Sequence, residues 1–423
     1  AVFGDDADVL ESTSFRLLLL ASLCSPLGGS LISPVIETLA GPYGVSVARV
    51  SLLMSVYTAP SIVVIPVVGA LSDRYGRRPL LVAGLTLLGL AGLALPLTTD
   101  FRTALALRAL QGVGYCGIGP VLITSIGDLF DGDREATAQG IRFTAVSVAL
   151  AGFPLLAGSL AGVSWRAPLY LFGAALPVAA AVAVLLDEPT AVTGPRTDGG
   201  AAEPGADSTD TTADERVSRR EALAQPGFVA LIVGRGTPTL LWFSYLGYAS
   251  VVAVRVLGGT PETAGALVAV ASVAAGVGST QVGRLSTFGD SRFLPMLGSL
   301  LVAAAGLAVV AVAPSVVVAG IGAAIFGGTF SVLVSLYRST ITTRYPESVR
   351  GTAVSLGESA GRLGGTIGPV LTGGVIAATT TGFGESGAVR VGLLVTVAVA
   401  TALSLAALLV AARAGVLKES AAV

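Results

Sequence analysis

The chain has 423 residues, of which 53% are hydrophobic and only 12% are charged, and its formal net charge is −1. A soluble domain carries about 25% charged residues, so this composition, with a mean hydropathy of +0.83, indicates a membrane protein. The near-zero net charge predicts no nucleic-acid partner. Histidine, the commonest metal ligand, is absent, and we expect neither a metal nor a cofactor.

Long apolar runs follow one another along the chain, each able to cross a hydrocarbon core of ~30 Å as a helix. They begin near Phe15, Arg49, Pro79, Arg102, Ala136, Ala167, Gly227, Glu262, Arg292, Ser315, Gly351 and Arg390. They predict an all-α integral membrane protein with twelve transmembrane helices in two six-helix pseudo-repeat halves. We expect the halves at 15–186 and 226–412, a cytoplasmic linker at 187–225, and cytoplasmic tails at 1–14 and 413–423.

Arginines near the ends of the runs predict the orientation. The side that holds the linker has the denser set, which is Arg74, Arg77, Arg78, Arg134, Arg284, Arg292, Arg344 and Arg350. The other side has Arg49, Arg102, Arg166, Arg255 and Arg390. The positive-inside rule therefore predicts a multi-pass protein of the cell membrane with both termini in the cytoplasm. Arg216, Arg219 and Arg220 in the linker predict a short amphipathic helix on the membrane surface.

The two halves carry matching sequences in the same order. The segment 15–26 (FRLLLLASLCSP) is similar to 228–238 (FVALIVGRGTP), and GALSDRYGRRPLL at 69–81 is similar to GRLSTFGDSRFLP at 283–295. Thr287 stands roughly where Asp73 does, and Asp290 and Arg292 replace part of the lost charge. Two parallel repeats with a site between them near the midplane are typical of transporters.

Three short motifs carry a resemblance to a known family. The turn 69–79 has Gly69, Leu71, Asp73, Arg74, Gly76, Arg77 and Arg78 in the pattern G-x-L-x-D-R-x-G-R-R, which resembles the signature of the major facilitator superfamily between spans two and three. Residues 108–114 (RALQGVG) are similar to that family's span-four motif. Residues 152–158 (GFPLLAG) resemble the span-five motif G-P-x-x-G-G of its drug/proton antiporter branch, with Phe153 and Ala157 in place of two glycines.

The turn predicts a cytoplasmic latch. Asp73 is suited to accept hydrogen bonds from the N-terminus of a neighbouring helix, whose dipole favours an anion, and the arginines are suited to pair with acids at nearby helix ends. Asp128, at the end of span four, is the partner that we expect. The alternative is an anchor that obeys the positive-inside rule and switches nothing.

Charged residues inside spans predict the functional cavity, because burying charge in a membrane is costly. Arg108, Arg142, Arg235, Glu358 and Arg362 lie inside spans four, five, seven and eleven. Glu358 is either a proton carrier or a permanent ion-pair partner of Arg362 or Arg142. The resemblance implies that Arg108 serves proton coupling or orders span four. Its alternative is hydrogen bonding to carbonyls between spans, and Gln111 supports either role.

Glycines and prolines in spans five and eleven form a second repeated motif. The first copy contains Gly152, Pro154 and Gly158, and the second contains Gly368, Pro369 and Gly373. Small residues allow membrane helices to pack closely. The aromatic residues of span seven, Trp242, Phe243, Tyr245 and Tyr248, are assigned to an interfacial belt, with a cavity lining as the alternative.

These features predict a secondary active transporter that moves a small organic solute by alternating access. We expect a monomeric proton-coupled efflux antiporter in the lipid bilayer, with a proton or another ion as the coupling partner. A proton-coupled symporter or exchanger of an organic anion is the alternative, since the interior carries more arginines than acids. A non-transporting receptor on the same scaffold is a third interpretation. No catalytic constellation or phosphate loop is present, so we expect no enzyme.

Overall fold

The computed structural model describes residues 9–188, 225–286, 291–345 and 347–417, which are helical with short connections. The long helices, numbered in chain order, are α1 Thr13–Ala40, α2 Val47–Tyr75, α3 Arg77–Leu97, α4 Phe101–Leu129, α5 Gly132–Ala161, α6 Ala167–Leu185, α7 Pro226–Val256, α8 Pro261–Ser279, α9 Phe293–Val312 and α10 Val316–Arg344. A short helix, Val282–Ser286, follows α8. The predicted amphipathic helix of the linker, and Thr287 and Asp290, lie outside the described residues.

The last helical stretch, Glu347–Arg413, contains two membrane spans. Gly384 has φ +69° and ψ 174°, a conformation that breaks the helix and that glycine adopts without strain. It divides the stretch into α11 (347–383) and α12 (385–413). Eleven stretches are long and apolar enough to cross a membrane, and the division at Gly384 yields twelve spans. The predicted twelve-helix fold is confirmed.

Polar residues set several helix starts. Asp100 caps α4 by accepting a hydrogen bond of 2.8 Å from the backbone N–H of Thr103. Helix α5 begins at Gly132, four residues before the predicted start at Ala136, and Asp133 and Glu135 lie in its first turn. Acidic side chains there interact favourably with the helix dipole. The hydropathy pattern therefore underestimates the length of a helix whose first turn is charged.

The bundle has two ends, which we name by their connections. The linker end is where α6 ends at Leu185 and α7 begins at Pro226. The distal end is the opposite one, where α1 meets α2 near residue 44 and α7 meets α8 near residue 258. All polar contacts between the halves that are described below lie between the distal end and the middle of the bundle.

Side chains of α1 and α2 meet α7 and α11 at the distal end. Ser33 Oγ donates to the Leu246 carbonyl at 2.6 Å, and the N–H of Glu37 donates to Ser250 Oγ at 3.2 Å. Further toward the middle, Thr58 and Thr366 hydroxyls are 3.1 Å apart. The two halves are therefore joined from the distal end down to about the middle of α2 and α11.

An exposed ion-pair cluster closes the distal rim. Arg255 Nε lies 2.5 Å from Glu37 Oε1, and Arg255 Nη1 lies 3.3 Å from Glu385 Oε2. One arginine thus bridges α1 of the first half and α12 of the second. Because Arg255 is 41% exposed, solvent and salt screen the attraction within this cluster.

Candidate functional site

The 69–79 turn folds around Arg77, which bridges three helices of the first half. Arg77 Nη1 lies 2.6 Å from Asp73 Oδ1, and Arg77 Nε lies 2.9 Å from Asp128 Oδ2. The same guanidinium donates to Ser72 Oγ at 2.8 Å. The structure thus brings Asp128 and Arg77 together and ties the ends of α2, α3 and α4. Asp73 is 56% exposed, whereas Asp128 is only 10% exposed.

The acid at the N-terminus of α3 is Glu188, whereas Asp73 accepts from the side chain of Arg77 in this conformation. The backbone N–H groups of Arg77 and Arg78 donate to the Glu188 carboxylate, where the helix dipole favours a negative charge. Gly76, at φ +92°, turns the chain so that these groups point at the carboxylate. Sequence reasoning assigned Glu188 to the acidic linker, although its position directly after α6 was the available signal.

The other motif residues at this turn have simpler surroundings. Arg78 donates to the carbonyl of Ala183 in α6, and the guanidinium of Arg74 lies 5.4 Å from the ring centre of Tyr75. Gly69 has open space around its Cα, and Leu71 is exposed. In the second half, Arg292 donates to Ser339 Oγ at 3.1 Å, so it binds the end of α10.

Arg108 and Gln111 are fully buried and satisfy hydrogen bonds inside the first half. Arg108 donates to the Leu53 carbonyl at 3.0 Å, to the Gly28 carbonyl at 2.7 Å and to Gln111 Oε1 at 2.7 Å. Its guanidinium also lies 4.4 Å from the ring centre of Tyr57. These contacts join α1, α2 and α4, which is the geometry expected of the carbonyl-bonding alternative.

Glu358 forms the centre of a charged cluster in the second half. Arg338 Nη2 and Nε lie 2.7 and 3.1 Å from Glu358 Oε1, and Arg235 Nη2 lies 3.3 Å from the same oxygen. Arg235 also donates to Thr239 Oγ1 at 2.9 Å. Arg235 is 6% exposed, whereas Glu358 is 37% and Arg338 58% exposed. One carboxylate therefore meets two arginines, one buried and one open.

The structure does not pair Glu358 with Arg362 or Arg142, the partners named in its ion-pair alternative, since its ion-pair partners among the described residues are Arg235 and Arg338. The guanidinium of Arg362 lies 5.3 Å from the ring centre of Tyr115 in α4, and Arg142 Nε donates to Gln139 Oε1 at 3.1 Å. Sequence reasoning missed Arg338 as a partner. An arginine six residues before the end of α10 was the signal, but its direction depends on how α10 is rotated against α11.

The face of α11 that carries Glu358 is directed at the first half. Arg362, Thr366 and Gly373 follow Glu358 at intervals that place them on one face of a helix. Arg362 contacts Tyr115 and Thr366 contacts Thr58, while Gly373 packs on α2. Glu358 continues this face toward the linker end and is part-exposed. We name the part-exposed space beside Glu358 and Arg338 the cleft, and Arg235 and Arg362 are the other charged groups near Glu358.

The glycine motifs form close contacts. A methyl group on Gly158 would lie 2.5 Å from the Pro261 carbonyl oxygen of α8, and one on Gly373 would lie 2.5 Å from the Ala48 carbonyl oxygen of α2. Both contacts join the two halves at the distal end. Gly368 packs on Leu240 of α7, the ring of Pro369 lies near Gly247 of α7, and the Pro154 carbonyl faces Gly265 of α8. A methyl group on Gly152 would meet no atom of another helix within 4 Å.

The aromatic residues of α7 belong to the interior, and their assignment to an interfacial belt is wrong. Tyr245 and Tyr248 are 1% and 0% exposed. Tyr245 donates to the Leu267 carbonyl at 2.7 Å, and Tyr248 Oη lies 2.6 Å from Ser51 Oγ. Trp242 stacks on Phe330 of α10 with ring centres 4.6 Å apart and an angle of 11° between the planes. These rings order the second half around the cleft.

Two sets of six membrane-spanning helices, with charged side chains between them, define the architecture of a membrane transporter. The family model of the Major Facilitator Superfamily matches residues 18–369. The chain belongs to this superfamily. It is therefore a multi-pass membrane protein of a transporter family, and not one of an enzyme family.

Two kinds of similarity support this assignment. The chain is 35% identical over 153 residues to the bacillibactin exporter of Bacillus subtilis (strain 168), covering 34% of this chain and 38% of the relative. It is 31% identical over 161 residues to the multidrug transporter MdfA of Yersinia pestis bv. Antiqua (strain Angola), covering 37% of this chain and 38% of the relative. The chain thus matches about two fifths of the length of these relatives.

Solved structures show the same fold. A bacterial homologue of the human lysosomal transporter Spinster, in an inward-facing and occupied conformation, has a TM-score of 0.78 at 18% identity, covering 98% of this chain and 99% of that one. A D-xylose–proton symporter has a TM-score of 0.68 at 16% identity, covering 92% of this chain and 96% of that one. At these identities the likeness concerns the fold alone.

Proposed function

We propose that this protein is a secondary active transporter that exports a small organic solute by alternating access, coupled to proton entry. The observation that carries the proposal is the unequal joining of the halves. Backbone and side-chain contacts hold them together from the distal end to Thr58 and Thr366, while the charged side chains beyond remain part-exposed. Such a pair of rigid halves closed at one end is suited to rock between two openings.

The orientation follows from the arginine count. The positive-inside rule puts the linker end in the cytoplasm, so the cleft of this conformation faces the cytoplasm, where an exporter collects its substrate. The names of the two curated relatives, an exporter and a multidrug transporter, agree with this direction. The protein works in this proposal as a monomer in the cell membrane.

Glu358 is the proposed proton carrier. It lies 11 residues inside α11, whereas the other acids of the twelve helices lie within three residues of a helix end. Exchange of Glu358 for Gln is expected to abolish pH-driven flux while substrate exchange across the membrane continues. If the pH dependence of flux is unchanged in Glu358→Gln, Glu358 is a structural partner of Arg235 and Arg338 and not the carrier.

The 69–79 turn is the proposed latch of the linker end. In this conformation Asp73 is more than half exposed while Arg77 holds it on the first half, so it remains accessible to a helix end of the second half when the cleft closes. Asp73→Asn is expected to depress transport more than expression. If Asp73→Asn transports normally in vesicles, the turn is an anchor and not a latch.

The experiment that tests the function is flux into and out of proteoliposomes. Labelled anionic, neutral and cationic compounds are offered under an imposed pH gradient of either sign, with protein-free liposomes as the control. Flux of any of them that depends on the gradient supports the proposal. Binding without flux for the whole panel would favour a receptor built on a transporter scaffold.

A specific observation favours a second candidate, the symport or exchange of an organic anion with protons. Arg235, Arg338 and Arg362 lie near Glu358, which is the acid among them, and Arg142 lies near Tyr115, the ring that Arg362 contacts. A lipophilic cation would meet a net positive site. The panel separates the two candidates, because antiport export and symport of an anion respond to opposite pH gradients.

A further inference from the structure

The charges around the cleft do not balance. Glu358 shares its carboxylate between Arg235 and Arg338, which leaves the group with one excess positive charge. In the described residues, Arg362 and Arg142 have no carboxylate within 4 Å, and each lies near Tyr115. An excess of positive charge attracts ions of opposite sign. The cleft therefore has an electrostatic preference for an anion.

Arg338 is the arginine that is placed to meet a ligand. It is 58% exposed although it lies six residues inside α10, whereas Arg235 is almost fully buried and also donates to Thr239. The Nε and Nη2 of Arg338 both point at Glu358 Oε1. Both donors share one oxygen here, whereas the same pair of nitrogens is suited to bind two oxygens of a carboxylate, sulfonate or phosphate. Glu358 thus occupies the position that an acidic group of a ligand would take.

An aromatic surface lies two helical turns from this fork. Trp242 follows Arg235 by seven residues on α7, and Phe330 precedes Arg338 by eight residues on α10. The two rings stack face to face. Two turns of helix measure about 11 Å, so the rings lie deeper in the bundle than the arginines. Arg235 and Trp242 lie on one stripe of α7, where Arg235 contacts Glu358 of α11 and Trp242 contacts Phe330 of α10. The ion-pair cluster and the ring pair therefore join the same helices of the second half.

We propose that the substrate is an aromatic organic anion, whose acidic group displaces Glu358 from Arg338 while its ring packs against Trp242 and Phe330. This inference rests on the proposed transporter function and names its substrate class. Arg235, Arg338 and Arg362 are the charged groups that face Glu358. A proton on Glu358 removes the competing charge and frees Arg338, so proton and anion bind together. This inference therefore develops the second candidate, the symport or exchange of an organic anion with protons, and not the export antiport.

Binding of three probes of one shape and different charge tests the inference. Naphthalene-2-carboxylate, 2-naphthamide and 2-naphthamidinium are titrated calorimetrically into the purified full-length protein in detergent. The carboxylate is expected to bind about tenfold or more tightly than the amide, which is the size of one charge-assisted hydrogen bond, and the amidinium most weakly. A wild-type protein that prefers the amide or the amidinium, or that prefers none of the three, overturns the proposal.

Two substitutions test the contribution of the Arg338 charge separately from that of the Phe330 ring. Arg338→Gln, at an exposed side chain, is expected to remove the preference for the carboxylate over the amide. Phe330→Leu is expected to weaken all three probes by a similar factor. Arg344→Gln, at the end of the same helix, where Arg344 donates to the Gly415 carbonyl, is the matched control and leaves the order unchanged. A carboxylate preference that survives Arg338→Gln contradicts the assignment.

Glu358→Gln tests directly whether Glu358 competes with the ligand for Arg338. If Glu358 competes with the ligand, its neutralisation strengthens carboxylate binding several-fold and leaves the amide unaffected. Weaker carboxylate binding in a variant that elutes and melts like the wild type refutes competition. Flux of the same probes in proteoliposomes keeps the two proposals distinct. Flux of the amidinium alone overturns the anion and retains the transporter, whereas carboxylate binding without flux retains the site and overturns transport.

Discussion

Gly158 and Gly265 hold the distal ends of α5 and α8 in backbone contact, and alanine at either position is expected to open that end. A methyl group on Gly158 would lie 2.5 Å from the Pro261 carbonyl oxygen, and one on Gly265 would lie still closer to the Pro154 carbonyl oxygen. Ordinary van der Waals contact begins at 3.4 Å. The two helices must therefore separate by about 1 Å, because neither carbonyl belongs to a flexible side chain.

The magnitude follows from the cost of overpacking. Adding a methyl group to a filled contact costs about 1–3 kcal/mol, and this cost falls on the conformation in which α5 and α8 touch at the distal end. The ratio of distally closed to distally open molecules is then expected to fall about 5- to 150-fold, since each 1.4 kcal/mol is about tenfold. The free-energy change in the Gly158→Ala/Gly265→Ala double variant should be smaller than the sum of the two single changes, because one separation of α5 from α8 relieves both contacts.

The assay is the distance between spin labels on Ser46 and Thr381, which are exposed on opposite halves near the distal end. Cys24 and Cys116 are buried and are replaced by alanine. The glycine variants are expected to populate longer distances than the wild type. Gly152→Ala on α5 and Gly276→Ala on α8 are matched controls, because no atom lies within 4 Å of the new methyl group. Equal distance distributions in the wild type, the three variants at Gly158 and Gly265, and the two controls would refute the reasoning.

Three further outcomes are expected. Gly76→Ala should lower the free energy of unfolding by about 1–3 kcal/mol, because φ +92° and ψ 167° are sparsely populated by other residues. Thermal melting measures this loss, and an unchanged melting temperature would contradict it. Asp128→Asn should destabilise the protein more than Asp73→Asn, because the Asp128 partner of the arginine bridge is the buried one, and the reverse order of melting temperatures would count against that bridge. Arg255→Gln should lengthen the distance between the distal spin labels. Added salt should lengthen it in the wild type as well, because the ion pairs of Arg255 at the distal rim are exposed. A distance that does not change with salt would show that these ion pairs do not hold the distal end closed.

The fold could be predicted because it depends on patterns that one sequence contains. Apolar length fixes each span, and the repeated order of motifs fixes the two halves. The division of the last helical stretch at Gly384 needs only a glycine at a left-handed position. The 69–79 turn and Asp128 could also be located, because short connections bring the ends of α2, α3 and α4 together.

The partners of Glu358 could not be predicted for a physical reason. Spacing along α11 places Arg362 one turn away, but the rotation of α11 directs Arg362 to Tyr115 and Glu358 to α10. Rotation depends on packing across the whole interface, and one sequence does not specify it. The same limit applies to the glycines of α5, because Gly158 meets α8 whereas Gly152, in the same motif, meets nothing.

The contact of Tyr115 with Arg362 has a mechanical consequence. It marks the level in the bundle at which the joined part of the two halves ends, and the Thr58–Thr366 pair lies one turn away. If the halves turn about a fulcrum at this level, displacements grow with the lever arm. Gly373, 11 residues from Arg362, lies about 16 Å from the fulcrum, so a rotation of about 20° moves it by about 5 Å. The distal glycine contacts must then separate in each cycle. Arg362 stays in contact with the ring of Tyr115, so the two halves keep their alignment at this level.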